Sequence, residues 1–179
     1  QLAGGPVANL AQLNSGVDVY LNDRAVLDLC RAARATVIEL TGAQNLSNRY
    51  YAVHPRRNDR FLRASNLLKT IYRDIDFTQF HFTRHLITGL ISAPERFALI
   101  RAELKEAWLA RMEKLIEQVG KPVVLVWLAD HHSAVAPEDP LAHIGPLYVD
   151  AAMIDRLRSR VQGVVEIVAD AEETQAGYG

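Results

Sequence analysis

Cysteine is almost absent from this sequence, and long apolar runs are missing altogether. Cys30 is the single cysteine among 179 residues, so an internal disulfide is excluded and a reducing compartment fits. No apolar run approaches the roughly 18 to 20 residues that cross a bilayer, and residues 1–10 lack the charged start and apolar core of a signal peptide. We therefore expect a soluble, cytoplasmic protein with no membrane partner.

Excess charge of either sign is also missing. Lys and Arg total 20 and Asp and Glu total 21, which leaves a formal net charge of −1. Phosphate affinity comes from clustered surplus cations, so this balance argues against a general nucleic-acid binder. The sequence contains no phosphate-binding P-loop, internal repeat or low-complexity stretch. We expect an ordinary globular protein without a cofactor or a metal ion.

Strand and helix patterns alternate along the chain. Short apolar runs bounded by Gly, Pro or Asx residues predict strands at residues 7–10, 35–40, 122–128 and 164–168. Near-continuous apolar runs are typical of parallel strands that are buried on both faces. We predict a single α/β domain over residues 1–179, with a three-layer, mostly parallel sheet of at least four strands and helices on both faces.

The clearest helix prediction covers residues 94–119. Ser92 to Glu95 supply an N-cap, a Pro near the first turn and a capping-box Glu, and Gly120 is a C-cap. Apolar residues recur within it three and four positions apart, which predicts a stripe facing the core. Further helices are predicted at residues 23–33, 65–72, 83–91 and 150–163.

Polar segments follow three of the predicted strands, at residues 12–16, 42–48 and 130–132. Ligands of open parallel sheets bind beyond the carboxyl ends of the strands. Gly, Asn, Gln and Ser supply hydrogen bonds and permit positive φ, which suits both tight turns and oxyanion donors. Turn chemistry alone explains any one segment, but three at one sheet edge predict a shared pocket.

Arginine is concentrated in one stretch. Residues 49–63 contain five Arg and one Asp, including the string His54-Pro-Arg56-Arg57-Asn-Asp-Arg60. Because Arg binds carboxylate, phosphate or sulfate through a planar fork, this loop is a candidate anion site. The alternative is a solvated or internally paired loop, neutralised in part by nearby acids. Those acids are Asp59, Asp74 and Asp76.

Two histidines have a spacing found in metal sites. His81 and His85 are four residues apart, which places them on one face if the stretch is helical. No Glu lies between them, and a third ligand would have to come from Asp130, His131 or His132, far along the chain. The favoured interpretation is therefore histidines hydrogen-bonded at a packed helix edge.

Three long strings resemble an uncharacterised bacterial family, a domain of unknown function: Gly42–Tyr51, His54–Phe61 and Asp76–His85. The likeness runs through most of the chain. Members of that family are distantly similar to the SGNH (GDSL-like) hydrolases. That resemblance implies a serine nucleophile after the first strand, oxyanion-hole residues in the next two loops and a late Asp-x-x-His base.

The SGNH resemblance carries over only in part. It implies pocket and oxyanion roles for Asn14 or Gly16 in one block and for Gly42 and Asn45 in the next. The nucleophile block has no counterpart, so the chain is expected to lack an N-terminal strand and turn before residue 7. In the last block Asp170 is followed three residues on by Glu173 instead of His. The candidate catalytic residues are therefore Asp130, His131 and His132, with either histidine as the replacement base.

Three functions stay open at this stage. The first is an SGNH-like enzyme, or a remnant of one, that acts on or binds an ester or a decorated carbohydrate at the strand carboxyl ends. The second is a transferase of a sulfate or phosphate group, in which Arg56, Arg57 and Arg60 clamp the anion and His54 or His131 is the base. The third is a non-catalytic binding or assembly module. The ligand in each case is expected to be a small molecule or a carbohydrate.

Overall fold

The computed structural model describes residues 5–169, which form both helices and strands. The helices of this part are α1 (Val17–Leu21), α2 (Arg24–Ala32), α3 (Asn66–Ile71), α4 (Thr83–Ile91), α5 (Pro94–Val119) and α6 (Ala151–Arg158), with a 3₁₀ turn at Phe77–Gln79. The strands are β1 (Thr36–Glu39), β2 (Tyr51–Val53), β3 (Phe61–Ala64), β4 (Val123–Ala129) and β5 (Gly163–Val168).

Three strands form a parallel sheet in the order β1-β4-β5. Thr36 of β1 lies opposite Val123 of β4, and β5 pairs with β4 from Gly163 to Val168. These strands agree with the predicted ones to within one residue at each end. The α/β class with parallel strands is confirmed, although within residues 5–169 the sheet has three parallel strands where at least four were predicted.

The predicted strand at residues 7–10 is wrong. This run is irregular, pairs with no other described segment, and leaves Val7 79% exposed. A strand needs a neighbour that takes its backbone hydrogen bonds, and no described strand lies beside this run. The chain instead enters α1 at Val17, a short helix that was not predicted.

The two faces of the parallel sheet differ in burial. Along β4 alternate side chains point into the core, and Val123, Leu125, Trp127 and Ala129 are at most 2% exposed. Helices were predicted on both faces, but within the described residues the opposite face stays apolar and open to solvent. Its exposed hydrophobic side chains include Val37, Leu128, Val165 and Ile167, at 40–67%.

Helix α5 forms the centre of the core, and its predicted bounds are confirmed. Pro94 occupies its first turn, and Gly120 ends it with φ 59°, in the left-handed region that favours glycine. Trp108 is fully buried, and its Nε1 donates to the Thr41 carbonyl at 2.8 Å, which fixes the segment after β1 against the helix. The buried stripe consists of Phe97, Ile100, Leu104, Trp108, Leu109, Met112, Leu115, Ile116 and Val119.

The remaining helix predictions are confirmed in position, with one error of length. The helices predicted at residues 23–33, 65–72 and 83–91 correspond to α2, α3 and α4. The helix predicted at 150–163 is too long, because α6 ends at Arg158. None of the described helices has the length and apolarity needed to cross a membrane.

Strands β2 and β3 form an antiparallel hairpin that was not predicted. Tyr51 lies opposite Ala64 and Val53 opposite Phe61, with an irregularity in register between the two pairs. Each strand has only three or four residues, too few for a periodic signal. The hairpin matters here because its connecting loop is the arginine-rich segment.

Candidate functional site

A pocket of about 300 Å³ lies beyond the carboxyl end of β4. Most of its wall comes from the long segment between β4 and α6. The first turn of α6 and the side chains of Arg101 and Lys105 on α5 complete it. We call it the β4 pocket. A parallel strand delivers the chain to this edge of the sheet, where ligand sites of α/β proteins form.

Asp130, the first residue after β4, holds two histidines of this pocket. Its Oδ1 lies 2.6 Å from His131 Nδ1 and its Oδ2 lies 3.1 Å from His143 Nδ1. The Ile144 backbone N–H also donates to Oδ2, at 3.2 Å. An ionised carboxylate only accepts hydrogen bonds, so both Nδ1 atoms carry their protons.

The carboxyl of Asp130 is stabilised in its charged form. Partial burial works against the charge, but the hydrogen bonds from His131, the Ile144 amide and His143 outweigh it and hold the pKa of Asp130 below its ordinary value. With its proton on Nδ1, His131 keeps a lone pair on Nε2, for which no described residue is a hydrogen-bond partner. His131 therefore has the arrangement of a proton acceptor held by a carboxylate.

The position of His131 is fixed from two further sides. Trp127 Nε1 donates to the His131 carbonyl at 2.7 Å, and the two rings pack edge to face at 5.6 Å. On the other side lies Gly145, with φ 150°. A Cβ on Gly145 would stand 2.8 Å from Ala129 Cβ and 3.4 Å from His131 Cε1. The positive φ and the close approach to Ala129 favour glycine here, and the 3.4 Å to His131 is an ordinary van der Waals contact.

A metal ion is the rival occupant of the histidine cluster. Asp130, His131 and His143 each offer a donor atom within 4.8 Å of the others. Ligand atoms on a tetrahedral ion with bonds of about 2.0–2.2 Å are roughly 3.3–3.6 Å apart. The 2.6 Å between Asp130 and His131 is shorter and matches a charge-assisted hydrogen bond. The geometry thus favours protonated Nδ1 atoms over a metal ion.

A second acid and histidine group lies beside the first. Ser133 Oγ donates to Glu166 Oε1 at 2.5 Å, and His132 Nδ1 lies 3.1 Å from Glu166 Oε2. Hydrogen bonds lower the pKa of Glu166 below its ordinary value, and the largest contribution comes from the Ser133 hydroxyl. The carboxylate, not a histidine, receives the serine proton, so Ser133 is not arranged as the activated serine of a catalytic triad.

The predicted pocket residues of two other loops meet each other. A Cβ on Gly16 would stand 2.2 Å from the Asn45 carbonyl oxygen. The Gly16 N–H donates to Asn58 Oδ1 at 2.9 Å, and Asn45 Oδ1 accepts from Thr83 Oγ1 at 2.6 Å. These bonds make the contact a packed polar junction in which the Gly16 N–H and the Asn45 side-chain oxygen are already engaged.

The other two residues of that set lie around this junction. The Gly42 carbonyl accepts from the Asn45 N–H at 3.3 Å. Asn14 is exposed and has φ 59°, a conformation that asparagine tolerates in turns. The lining of the β4 pocket includes none of Asn14, Gly16, Gly42 and Asn45. A ligand-binding role for them stays a prediction.

The arginine-rich loop is held together by its own polar groups. His54 Nδ1 accepts from the backbone N–H groups of Arg56 and Arg57, at 3.3 and 3.2 Å. Asn58 is fully buried, and its Nδ2 donates to the His54 carbonyl at 2.9 Å while its Oδ1 accepts from Gly16. His54 is therefore a structural acceptor through Nδ1, and Asn58 anchors the loop to the start of α1.

The arginines of this loop point to different partners. Arg49 pairs with Glu103 at 2.5 Å, Arg57 pairs with Asp59 at 3.1 Å, and Arg60 lies over the Phe82 ring. They do not converge on a common point through these contacts. Anion binding by His54, Arg56, Arg57 and Arg60 stays a prediction.

Of the three acids expected to neutralise the loop, only Asp59 pairs with one of its arginines. Asp74 pairs with Arg96 at 2.6 Å, and Asp76 caps the 3₁₀ turn through the Thr78 N–H at 3.0 Å. Among these three acids, only Asp59 supports the interpretation of an internally paired loop, through its ion pair with Arg57.

The histidines with metal-like spacing do not share a helical face. His81 precedes α4, which begins at Thr83. His85 lies in that helix and packs edge to face against Phe80, with the ring centres 4.8 Å apart. The described histidine and acid cluster that suits a metal ion does not include either residue.

A family model, DUF6473, described as a domain of unknown function, matches residues 1–179. The chain belongs to this family. The resemblance seen in the three sequence strings is confirmed, and the family description assigns DUF6473 no activity. Comparison with curated proteins and with solved structures found no match.

Several residues around the DUF6473 pocket were missed by sequence reasoning. His143 lies 13 positions after Asp130, in a proline-rich segment without periodicity, so nothing local links it to the carboxylate. Arg101 lies on the solvent-facing side of α5, where the sequence pattern predicts an ordinary surface cation. The available signal was the length of the segment between β4 and α6, since a long ordered connection at the carboxyl edge is often functional.

Proposed function

We propose that the β4 pocket hydrolyses a small ester, with His131 as the general base. The observation that supports this proposal most directly is the pair of hydrogen bonds from His131 and His143 to Asp130 at the wall of this pocket. A histidine oriented by a carboxylate is the common proton acceptor of acyl-transfer chemistry. Because Ser133 donates its proton to Glu166, water is the nucleophile in this proposal.

The proposed reaction follows from the positions of the protons. His131 Nε2 takes a proton from water as the water oxygen attacks the ester carbonyl carbon. Asp130 stabilises the resulting imidazolium through Nδ1. The same proton then passes to the leaving alkoxide, so that the products are an acid and an alcohol. Tyr148 also lines the pocket, and its hydroxyl is a neutral O–H donor available for binding the substrate, because burial raises its pKa to about 12.

The same proposal extends to fold and location. A three-layer, SGNH-like arrangement is supported by the parallel order β1-β4-β5 and by apolar side chains on the open sheet face, which are of the kind that a second helical layer covers. A cytoplasmic location is supported by the single Cys30. An ester or a decorated carbohydrate is the broader substrate class that the sequence suggested.

A comparison of two neighbouring histidines tests the proposal. Hydrolysis of p-nitrophenyl acetate by the full chain should fall about 10²- to 10⁴-fold in His131→Ala. His132→Ala is the matched control, because His132 is 69% exposed, contacts Glu166 and does not line the pocket. A chelator should leave the rate unchanged.

Three results would overturn the proposal. The first is no hydrolysis by the wild type, and the second is an equal rate in both histidine variants. The third is loss of the rate in chelator with recovery on adding zinc, which would make the Asp130 cluster a metal centre.

A further inference from the structure

The cations of the β4 pocket are not equivalent. Lys105 Nζ lies 2.5 Å from Asp150 Oδ2, and Asp150 also caps α6 by accepting from the Met153 N–H at 3.0 Å. Arg101, one turn before Lys105 on α5, has no acidic partner within residues 5–169. Of the two lining cations, Arg101 is therefore the one that is not held in an ion pair.

The second observation is an unused hydroxyl in the same wall. Tyr148 Oη is buried and has no hydrogen-bond partner among the described residues. The residue has φ 62°, and its ring packs on Phe97 with the ring centres 5.6 Å apart. A buried donor without a partner is costly and is usually explained by a ligand or a water. The strained backbone at Tyr148 is of the kind found at ligand sites.

We propose that the substrate of the β4 pocket carries a carboxylate, which the Arg101 guanidinium and the Tyr148 hydroxyl bind while the ester group faces His131. This inference rests on the proposed hydrolysis and names its substrate class. One uncompensated cation and one neutral donor match a monoanion better than a phosphate dianion.

The size and composition of the pocket narrow the substrate further. A volume of about 300 Å³ is at the lower end of ligand pockets, so the molecule is small. Between the polar groups the wall is apolar, with Val135, Pro137, Pro140 and Leu147. A short hydrocarbon linker between the carboxylate and the ester fits such a wall. A half-ester of a small dicarboxylic acid has this chemistry.

Calorimetric titration of the full chain with propionate, propionamide and inorganic phosphate tests the binding step. Propionate should bind more tightly than the other two. Arg101→Gln should weaken propionate binding about tenfold or more, and Tyr148→Phe should weaken it by a smaller factor. Arg73→Gln, at an exposed arginine that does not line this pocket, is the matched control and should bind as the wild type does.

Kinetics with two esters separate this inference from the proposed hydrolysis. Arg101→Gln should lower kcat/KM for p-nitrophenyl hemisuccinate about tenfold more than it lowers that for p-nitrophenyl acetate. Equal loss with both esters, tighter binding of phosphate than propionate, or propionate binding indifferent to Arg101 would each overturn the carboxylate assignment. Propionate binding that needs Arg101, in a protein that hydrolyses neither ester, would support the carboxylate site and refute the hydrolysis.

Discussion

The arginine-rich loop and the β4 pocket use polar residues in opposite ways. In the loop, His54 and Asn58 satisfy the backbone and anchor it to Gly16, while the arginines contact separate partners. In the pocket, the adjacent His131 and the more distant His143 converge on Asp130. Local charge density made the loop conspicuous in the sequence, whereas convergence in space makes the pocket the better candidate site.

The largest effect is expected where the pocket has no spare room. Gly145→Ala should lower the free energy of unfolding by about 1–3 kcal/mol, because the new methyl meets Ala129 Cβ at 2.8 Å with φ at 150°. Gly163→Ala is the matched control, since a Cβ there meets nothing within 4 Å. Urea denaturation of both variants measures the difference. Equal stability would mean that the wall around His131 yields easily, which would weaken the case for a preorganised base.

A comparable effect is expected in the loop, but from its anchor and not from its charges. Asn58→Ala removes the partner of the buried Gly16 N–H and should cost about 1–3 kcal/mol. Arg56→Ala, at an exposed position, should change stability by less than about 0.5 kcal/mol.

Thermal melts of both loop variants with and without sulfate sharpen the contrast. If sulfate stabilises the wild type and the gain disappears in Arg56→Ala, the loop is an anion site as well as a structural element. Absence of that gain would leave the transferase interpretation without support.

The smallest expected effect concerns acid stability of the pocket. Because its native pKa is depressed, ionised Asp130 stabilises the fold above its unfolded pKa of about 3.9, and this contribution is lost as the pH falls through the native pKa. Asp130→Asn should therefore lose less stability than the wild type between about pH 7 and about pH 3. Asp155→Asn, an exposed acid paired with Arg158 on its own helix, is the control. Parallel acid profiles for Asp130→Asn and wild type would contradict the bonding assigned to Asp130.

Much of the fold could be predicted because its signals are local. Helix α5 begins at a proline, ends at a glycine and has a stripe of apolar residues, and β4 is a long apolar run. Each of these signals can be recognised in a short stretch of sequence. Residues 7–10 have a similar apolar character, yet an apolar run becomes a strand only with a neighbour. The residues of the run do not specify which other segment the strand would pair with.

Only the residues of the candidate site that directly follow β4 could be predicted from the sequence. Asp130 and His131 follow a predicted strand, so their place at the sheet edge could be inferred from the topology. His143 and Tyr148 reach the same pocket through a path of proline and glycine turns that no periodicity describes. The loops that contain Gly16 and Asn45 were predicted to meet, and they do. At their contact, however, the Gly16 N–H and the Asn45 side-chain oxygen are already hydrogen-bonded within the protein.

The open sheet face affects how the protein should be handled. Val37, Leu128 and Val165 lie exposed on one flat, apolar surface of the folded chain. Fluorescent dyes that report melting by binding apolar surface should therefore bind this chain before it unfolds and give a high signal at low temperature. Melting curves are better followed by circular dichroism or tryptophan emission, since Trp108 and Trp127 are buried in the native state and report its loss directly.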